Sequence, residues 1–411
     1  MKVLVVGKGG REHALAYACY KSKLVDKVYV APGNVGMEDI AQRVDISDSN
    51  VEGLVEFALK EGIDLTVVGP ESALSLGIVD AFRQVGLKIF GPSKDAAQVE
   101  TSKQFAKEIM AKYDIPTAKY QAFDNYQEAV NYVQAQGAPI VIKEDGLKAG
   151  KGVTVASSVE EALEALEIAF SIEDNKVVIE ECLVGFEFSL MSFVCGELVI
   201  PMEIAQDHKC AYDGDTGPNT GGMGCYSPVK TITPQIVDEA MEKVMKPMAK
   251  AMVEEGHSFT GFLYGGLMLC QDGVKTIEFN ARFGDPEAEV ILPRLKSDFV
   301  EVILNILDGK KTELEWDEQV TLGVVLASTN YPASSTKDAL IEGVEDVDGL
   351  VFHMGTKMVD GKLLTDGGRV MIIVAKEDTL EKAYDSAYAQ VAKVKSDALF
   401  FRHDIGKKDM N

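Results

Sequence analysis

The chain has 411 residues, 46% hydrophobic and 26% charged, the composition of a globular protein with room for about two to four domains. Its formal net charge of −24 repels polyphosphate backbones and anionic lipid headgroups, which excludes nucleic acid and membrane as main partners. An anionic ligand must then be met by local lysines and arginines, by glycine-loop amides or by a bound metal.

The six cysteines contain no C-x-x-C pair, so neither a disulfide framework nor a zinc site is expected. Met1–Gly7 reads as a strand with Lys8 and Arg11 directly behind it, not as a secretory leader. No apolar run reaches membrane-spanning length. These features point to the cytoplasm.

Val3–Val6 is apolar and ends in Gly7-Lys8-Gly9-Gly10-Arg11-Glu12-His13, with a helical pattern over Ala14–Lys21. Strand, glycine turn and helix open a βαβ unit, and such a turn suits a phosphate or another polar ligand. The dinucleotide fingerprint is not met, because glutamate stands at position 12 and no third glycine follows at the right spacing. Strands follow at Val28–Val30, Asp64–Val68 and Leu87–Phe90, with helices at Val51–Lys60 and Ala73–Val85. The strands end in Gly or Pro turns, among them Gly69-Pro70-Glu71, as in a doubly wound parallel sheet with a ligand crevice. The first domain is placed at residues 1–102.

Ser102 caps a helix to Tyr113, with Lys103 in its first turn, where the helix dipole gives a cation no help. A helix over Tyr126–Gln136 precedes a strand at Ile140–Lys143. Between that strand and the next, Val153–Ala156, lies Glu144-Asp145-Gly146-Leu147-Lys148-Ala149-Gly150-Lys151-Gly152. This is strand-loop-strand, so it is no P-loop, but a glycine- and lysine-rich hairpin tip can fold over a triphosphate. A helix over Val159–Ala169 and strands at Lys176–Glu180, Phe186–Val194 and Leu198–Ala205 follow. Asp213–Gly224 is read as a long irregular loop, and Pro234–Glu255 as a helix kinked at Pro247.

Gln271-Asp272-Gly273 is a turn signal, so Leu263–Cys270 and Val274–Asn280 read as a hairpin. Alternation puts Glu278 and Asn280 on one face with Phe279 opposite. A carboxylate beside an amide oxygen suits magnesium that keeps waters and phosphate oxygens, although a solvated sheet face is the commoner meaning of such a pair alone. Arg282 then offers a fork for phosphate or carboxylate, and Asp285 and Glu287 flank Pro286. A third region opens at Val320–Ala327 and adds strands near Val351–His353 and Arg369–Val374 and a helix at Leu380–Val394. Gly355-Thr356-Lys357 and Thr365–Arg369 read as turns first and ligand contacts second.

The ordered set GKGGREHA, Gly69-Pro70-Glu71, the Lys143–Gly152 loop, Glu180–Leu183, Gly217-Pro218-Asn219-Thr220-Gly221-Gly222-Met223-Gly224 and Glu278–Glu287 resembles the phosphoribosylamine–glycine ligase family of the ATP-grasp superfamily. The resemblance runs over essentially the whole chain. It implies an α/β protein: an N-terminal doubly wound sheet, an ATP-grasp domain over 103–318 with a lid at about 119–187, and a C-terminal α+β domain over 319–411. It implies that ATP, glycine and 5-phosphoribosylamine give glycinamide ribonucleotide, ADP and phosphate through a glycyl phosphate, in purine biosynthesis, by a monomer. The alternatives are another ATP-grasp carboxylate–amine ligase and a nucleotide-binding module without turnover.

By the same resemblance, Glu278 and Asn280 hold magnesium or manganese. Lys103, Lys143 and the Ala149-Gly150-Lys151-Gly152 loop contact ATP, with Glu180, Glu181, Leu183 and Glu187 around adenosine. Arg282 and Lys151 act in catalysis. Gly9, Gly10, Arg11, Glu12 and His13, with Asp213, Pro218, Asn219, Thr220, Gly221, Gly222 and Met223, frame the amine substrate. Asp285, Pro286 and Glu287 meet glycine. Two departures stand out. The strand before the metal hairpin's turn, Gly265–Cys270, has no acid where many ATP-grasp enzymes carry one, and Lys8 and Lys148 replace small residues.

Overall fold

The computed structural model describes residues 1–147 and 152–410. The N-terminal part is a five-stranded parallel sheet in the order β3-β2-β1-β4-β5, formed by β1 (Lys2–Gly7), β2 (Lys27–Pro32), β3 (Gln42–Arg43), β4 (Leu65–Val68) and β5 (Ile89–Phe90). The order reverses at β1, so the crevice at the strand ends receives Gly7–Gly10 and Gly69–Glu71. Val3–Val6 are fully buried, as a strand covered on both faces requires. The helix after β1 starts at Gly10, earlier than its apolar pattern, because the Glu12 side chain reaches back to the Gly9 N–H and caps it. The single helix expected over Ala73–Val85 is two, Glu71–Ser75 and Ile78–Gln84. Gly77, at φ +83°, breaks it.

Ser102 caps the helix Lys103–Lys112 as expected, accepting from the Phe105 N–H. A four-stranded antiparallel sheet follows in the order β6-β9-β7-β8, from β6 (Tyr120–Phe123), β7 (Ile140–Glu144), β8 (Val153–Ala156) and β9 (Val177–Glu181). The helices Tyr126–Gln136 and Val159–Phe170 pack on it around their own apolar cluster. The loop residues Lys148, Ala149, Gly150 and Lys151 lie outside the described residues.

A second antiparallel sheet has the order β11-β10-β16-β17, from β10 (Phe186–Cys195), β11 (Leu198–Pro201), β16 (Thr260–Cys270) and β17 (Gly273–Asn280). Strand β11 stops at Pro201 rather than Ala205. The stretch expected to be irregular is partly ordered: β12 (Gln206–Asp207) precedes a hairpin of β13 (Cys210–Tyr212) and β14 (Thr216–Asn219), and β15 (Gly224–Ser227) follows. Pro234–Glu254 is helical throughout, but Met241–Met245 takes a wider π turn just before Pro247. Proline removes a backbone donor and crowds the carbonyl four residues back, and a wider turn relieves both.

The third region contributes β18 (Val320–Ser328), β19 (Leu350–His353), a hairpin of β20 (Thr356–Val359) and β21 (Lys362–Thr365), β22 (Arg369–Glu377), the helix Leu380–Val391 and β23 (Leu399–Phe400). Its sheet runs β12-β15-β18-β22-β19, with β23 on β18. Strands from both sides of the expected 318/319 boundary therefore share one sheet. That sheet fixes the Thr220–Met223 turn against Arg369. No helix among the described residues is long and apolar enough to cross a membrane.

Candidate active site

Three groups of residues converge between the sheets. The first surrounds β17. Glu278 and Asn280 share a face while Phe279 is buried in the core behind them. Burial alone would raise the Glu278 carboxyl, but Lys209, Lys143, Lys103 and Arg282 outweigh it and hold it below its usual range. The Lys209 ammonium is raised in turn: burial opposes its charge, and Glu187, Tyr264, Glu278 and Asp207 more than compensate. Lys209 pairs with Glu187 at 2.5 Å.

Lys143 is 4% exposed. Its Nζ lies 2.9 Å from Glu180 Oε1 and donates to the Ile277 carbonyl at 2.9 Å. Lys103 is no idle first-turn cation, since it donates to the carbonyls of Glu144 at 2.7 Å and Gly146 at 2.9 Å and so holds the start of the loop. Gly152 at the loop's far end accepts from the Glu144 N–H. Glu181 pairs with Lys119 through backbone and side chain, where β9 gives way to the Cys182–Gly185 connector that carries Leu183.

No group of three or more His, Cys, Asp or Glu among the described residues is placed to hold a metal. Glu278 offers a carboxylate and Asn280 an amide oxygen on the same strand face, and the Asn280 amide nitrogen donates to the Phe279 carbonyl at 2.9 Å. Two hard oxygens suit a cation that takes its remaining ligands from phosphates and water.

The second group is an arginine–carboxylate chain at the crevice of the N-terminal sheet, buried at Arg11, Glu12 and Glu100 and half-buried at Glu71 and Arg282. Arg11 Nε meets Glu12 at 2.6 Å, and Arg11 Nη2 reaches Glu71 at 3.6 Å. Glu71 also faces Arg282 Nε at 3.5 Å, and Arg282 Nη2 meets Glu100 at 3.2 Å. Burial would raise the Glu71 carboxyl, but Arg11 and Arg282 together hold it down at about 2. The glycine turn differs from its sequence reading. The Gly9 N–H is taken by Glu12 Oε2 at 2.6 Å, so an internal carboxylate already sits at this helix start. His13 is also turned to structure: its Nδ1 accepts from the His353 N–H at 2.9 Å, and burial lowers it to about 3.

The third group is the Thr220–Met223 turn and what it rests on. Arg369 donates to the carbonyls of Gly221 at 2.6 Å and Asp285 at 2.9 Å, and its Nη2 pairs with Asp285 Oδ1 at 2.9 Å. Thr220 is tied to the Lys209 carbonyl and Gly221 N–H to the Tyr331 hydroxyl. Gly222 has φ +111°, and a Cβ there would lie 2.4 Å from Pro286 Cδ and 2.6 Å from Asp207 Oδ1. Only glycine fits that approach. Glu287 is 2% exposed and accepts from the Ser189 hydroxyl at 2.8 Å, close to Asp207. Burial, reinforced by Glu287, raises the Asp207 carboxyl well above its usual range.

Most of the sequence-derived residues are brought together. Asp213 is not: it sits at the tip of the β13–β14 hairpin and pairs with His403. Pro218 is exposed on β14, and Met223 is a core residue bonded through its backbone. Ala149, Gly150 and Lys151 lie outside the described residues. Arg369, Glu100, Lys209 and Asp207 were not singled out from sequence. Glu71 was quoted in a motif but given no role. Its place at the end of a buried strand, beside a proline, was the available signal.

Family profiles described as the N, ATP-grasp (A) and C domains of phosphoribosylglycinamide synthetase match residues 1–100, 101–288 and 321–408. The phosphoribosylamine–glycine ligase of Halalkalibacterium halodurans is 54% identical over 99% of this chain and 97% of its own length. That of Lactococcus lactis is 52% identical over 99% and 100%. The crystal structure of the Thermotoga maritima phosphoribosylamine–glycine ligase superposes with a TM-score of 0.86 at 34% identity, covering 99% of this chain and all of that one.

Proposed function

The chain belongs to the phosphoribosylglycinamide synthetase family, and from that premise we propose how its residues carry out the reaction. It is an ATP-dependent ligase that joins glycine to 5-phosphoribosylamine, in purine biosynthesis. The observation that carries the assignment of roles is the ring of Lys103, Lys143, Lys209 and Arg282 around an ionised Glu278, beside the Arg11–Glu71–Arg282 chain. Local cations overcome the repulsion of a strongly acidic chain at the place where a triphosphate and an acyl phosphate must sit.

A carboxylate is a poor acyl donor because its oxygen leaves badly. Glycine is therefore phosphorylated by ATP, and the ribosylamine nitrogen displaces phosphate from the acyl carbon. No enzyme nucleophile is required; the protein orients three ligands and excludes water. Glu278 and Asn280 hold the divalent cation, magnesium or manganese, which when bound neutralises phosphate charge. Lys103, Lys143 and the 149–152 loop receive the phosphates, and Glu181 at the end of β9 and Leu183 on the connector face adenine. Arg282 stabilises the acyl phosphate and the oxyanion that follows it.

Asp285 is committed to Arg369, so it orients that arginine, while Glu287 with Asp207 takes the glycine ammonium. The turn Asn219–Gly222, Arg11 and Arg369 frame the phosphoribosyl group. The test is glycine with isotope-labelled carboxylate oxygens. One labelled oxygen should appear in the released phosphate, and its loss to water instead would exclude the acyl phosphate.

A further inference from the structure

Lys107 has no part in the assignments above. It lies on the helix Lys103–Lys112 and is 2% exposed. Its ammonium donates to Glu180 Oε2 at 2.9 Å and to the Thr117 hydroxyl at 2.7 Å. The other Glu180 oxygen meets Lys143 at 2.9 Å. Thr117 passes the connection on, donating to the Thr276 carbonyl at 2.7 Å, and the Thr276 N–H donates to the Pro116 carbonyl at 2.8 Å. Lys143 closes the circuit on the next carbonyl, that of Ile277.

The circuit joins three pieces of the fold: the helix, the β7–β9 pair and β17 just before Glu278. Here the β16–β17 register breaks. Gly266 stands opposite Glu278 but Leu267 opposite Thr276, leaving Ile277 as the extra residue of a bulge. A bulge re-aims the side chains beyond it, so whatever grips the Thr276 and Ile277 carbonyls sets the direction of Glu278.

We propose that Lys107 is a positioning residue: through Glu180 and Thr117 it fixes Lys143 and the bulge beneath Glu278 in the arrangement that accepts a nucleoside triphosphate. This rests on reading the Lys143–Glu278 face as the nucleotide site. The charge of Lys107 matters to the arrangement. The groups facing it are Glu180 on β9, Lys143 on β7, Glu278 on β17, the Thr117 hydroxyl and the Tyr120 ring on β6, 5.7 Å away. Burial lowers Lys107 to about 8, with Lys143 acting in the same sense and Glu180 and Glu278 opposing. Once Lys107 loses its proton, Glu180 keeps Lys143 as its remaining cation, and Lys143 is less available to phosphate. Nucleotide affinity therefore falls as pH rises through this value.

The experiment is calorimetric binding of a non-hydrolysable ATP analogue with magnesium to the full chain, from about pH 7 to about pH 9, for the unaltered protein, Lys107→Met and Lys107→Arg. Lys107→Met should weaken binding at least about tenfold at pH 7 and leave little pH dependence. Lys107→Arg, charged throughout, should recover most of the affinity and remove the alkaline fall. The KM for glycine should stay within about twofold in both. Unchanged affinity in Lys107→Met, no alkaline fall in the unaltered chain, or an arginine that behaves like methionine would overturn the inference. If Lys107→Met does not fold, Thr117→Val decides. Weaker nucleotide binding at an unchanged melting midpoint supports the circuit, and unchanged binding overturns it. An unaltered chain that binds no nucleotide would remove the underlying reading as well, whereas binding indifferent to Lys107 removes this inference alone.

Discussion

Gly69→Ala tests whether the crevice of the N-terminal sheet is built around Glu12. A Cβ at position 69 would lie 2.1 Å from Glu12 Oε1, 2.4 Å from its Cγ and 2.6 Å from its Cδ. Glu12 has nowhere to retreat, because its Cγ and Cδ already fill the space where a Gly7 side chain would be, at 2.4 and 2.7 Å. Overpacking of this kind costs about 1–3 kcal/mol. The displaced carboxylate also gives up the Gly9 N–H, and loss of a helix cap costs about 1 kcal/mol. The expected destabilisation is therefore about 2–4 kcal/mol, before any effect of freeing Arg11 from its buried partner. Urea unfolding measures the total, and amide hydrogen exchange across Gly10–Lys21 places it. An unchanged unfolding midpoint with full protection of that helix would refute the packing argument.

Glu278→Gln should lower turnover at least about a hundredfold and raise the magnesium requirement, and near-normal turnover at low magnesium would contradict the metal assignment. Arg369→Leu removes the support of Gly221 and Asp285 and should raise the KM for phosphoribosylamine about tenfold or more, with that for ATP little changed; the reverse pattern would move Arg369 to the nucleotide. His13 and His208 are buried, and burial lowers them to about 3 and about 4. Below pH 6.5 the unfolded chain takes up protons that the folded chain refuses. Each histidine thus removes about 1.4 kcal/mol of stability per pH unit on the way down, and a His13 or His208 ring resonance that titrates near about 6.5 in the folded chain would contradict this.

The local grammar of the chain was legible where one short-range rule decided. Ser102 capped its helix, Asp272-Gly273 turned the β16–β17 hairpin, and alternation put Glu278 and Asn280 on one face. It was silent where distant segments decided. Arg369 looked like the end of a polar turn, since its partners Gly221 and Asp285 are 148 and 84 residues away. Gly9 and Gly10 were read as a turn for a phosphate or another polar ligand; Glu12, three residues on, takes the Gly9 N–H, and it is the distant Gly69 that clears the way for it. The resemblance put Asp213 with the glycine-rich turn, and the β13–β14 hairpin carries it to His403. Charge pairing over such separations leaves no period in the sequence.

The most direct measurement is ADP release with ATP, magnesium, glycine and freshly generated phosphoribosylamine, leaving out one component at a time. Release that requires both glycine and the amine is the expected result. Release with neither, or with another carboxylic acid in place of glycine, would contradict the substrate assignment while leaving the ATP-grasp fold intact.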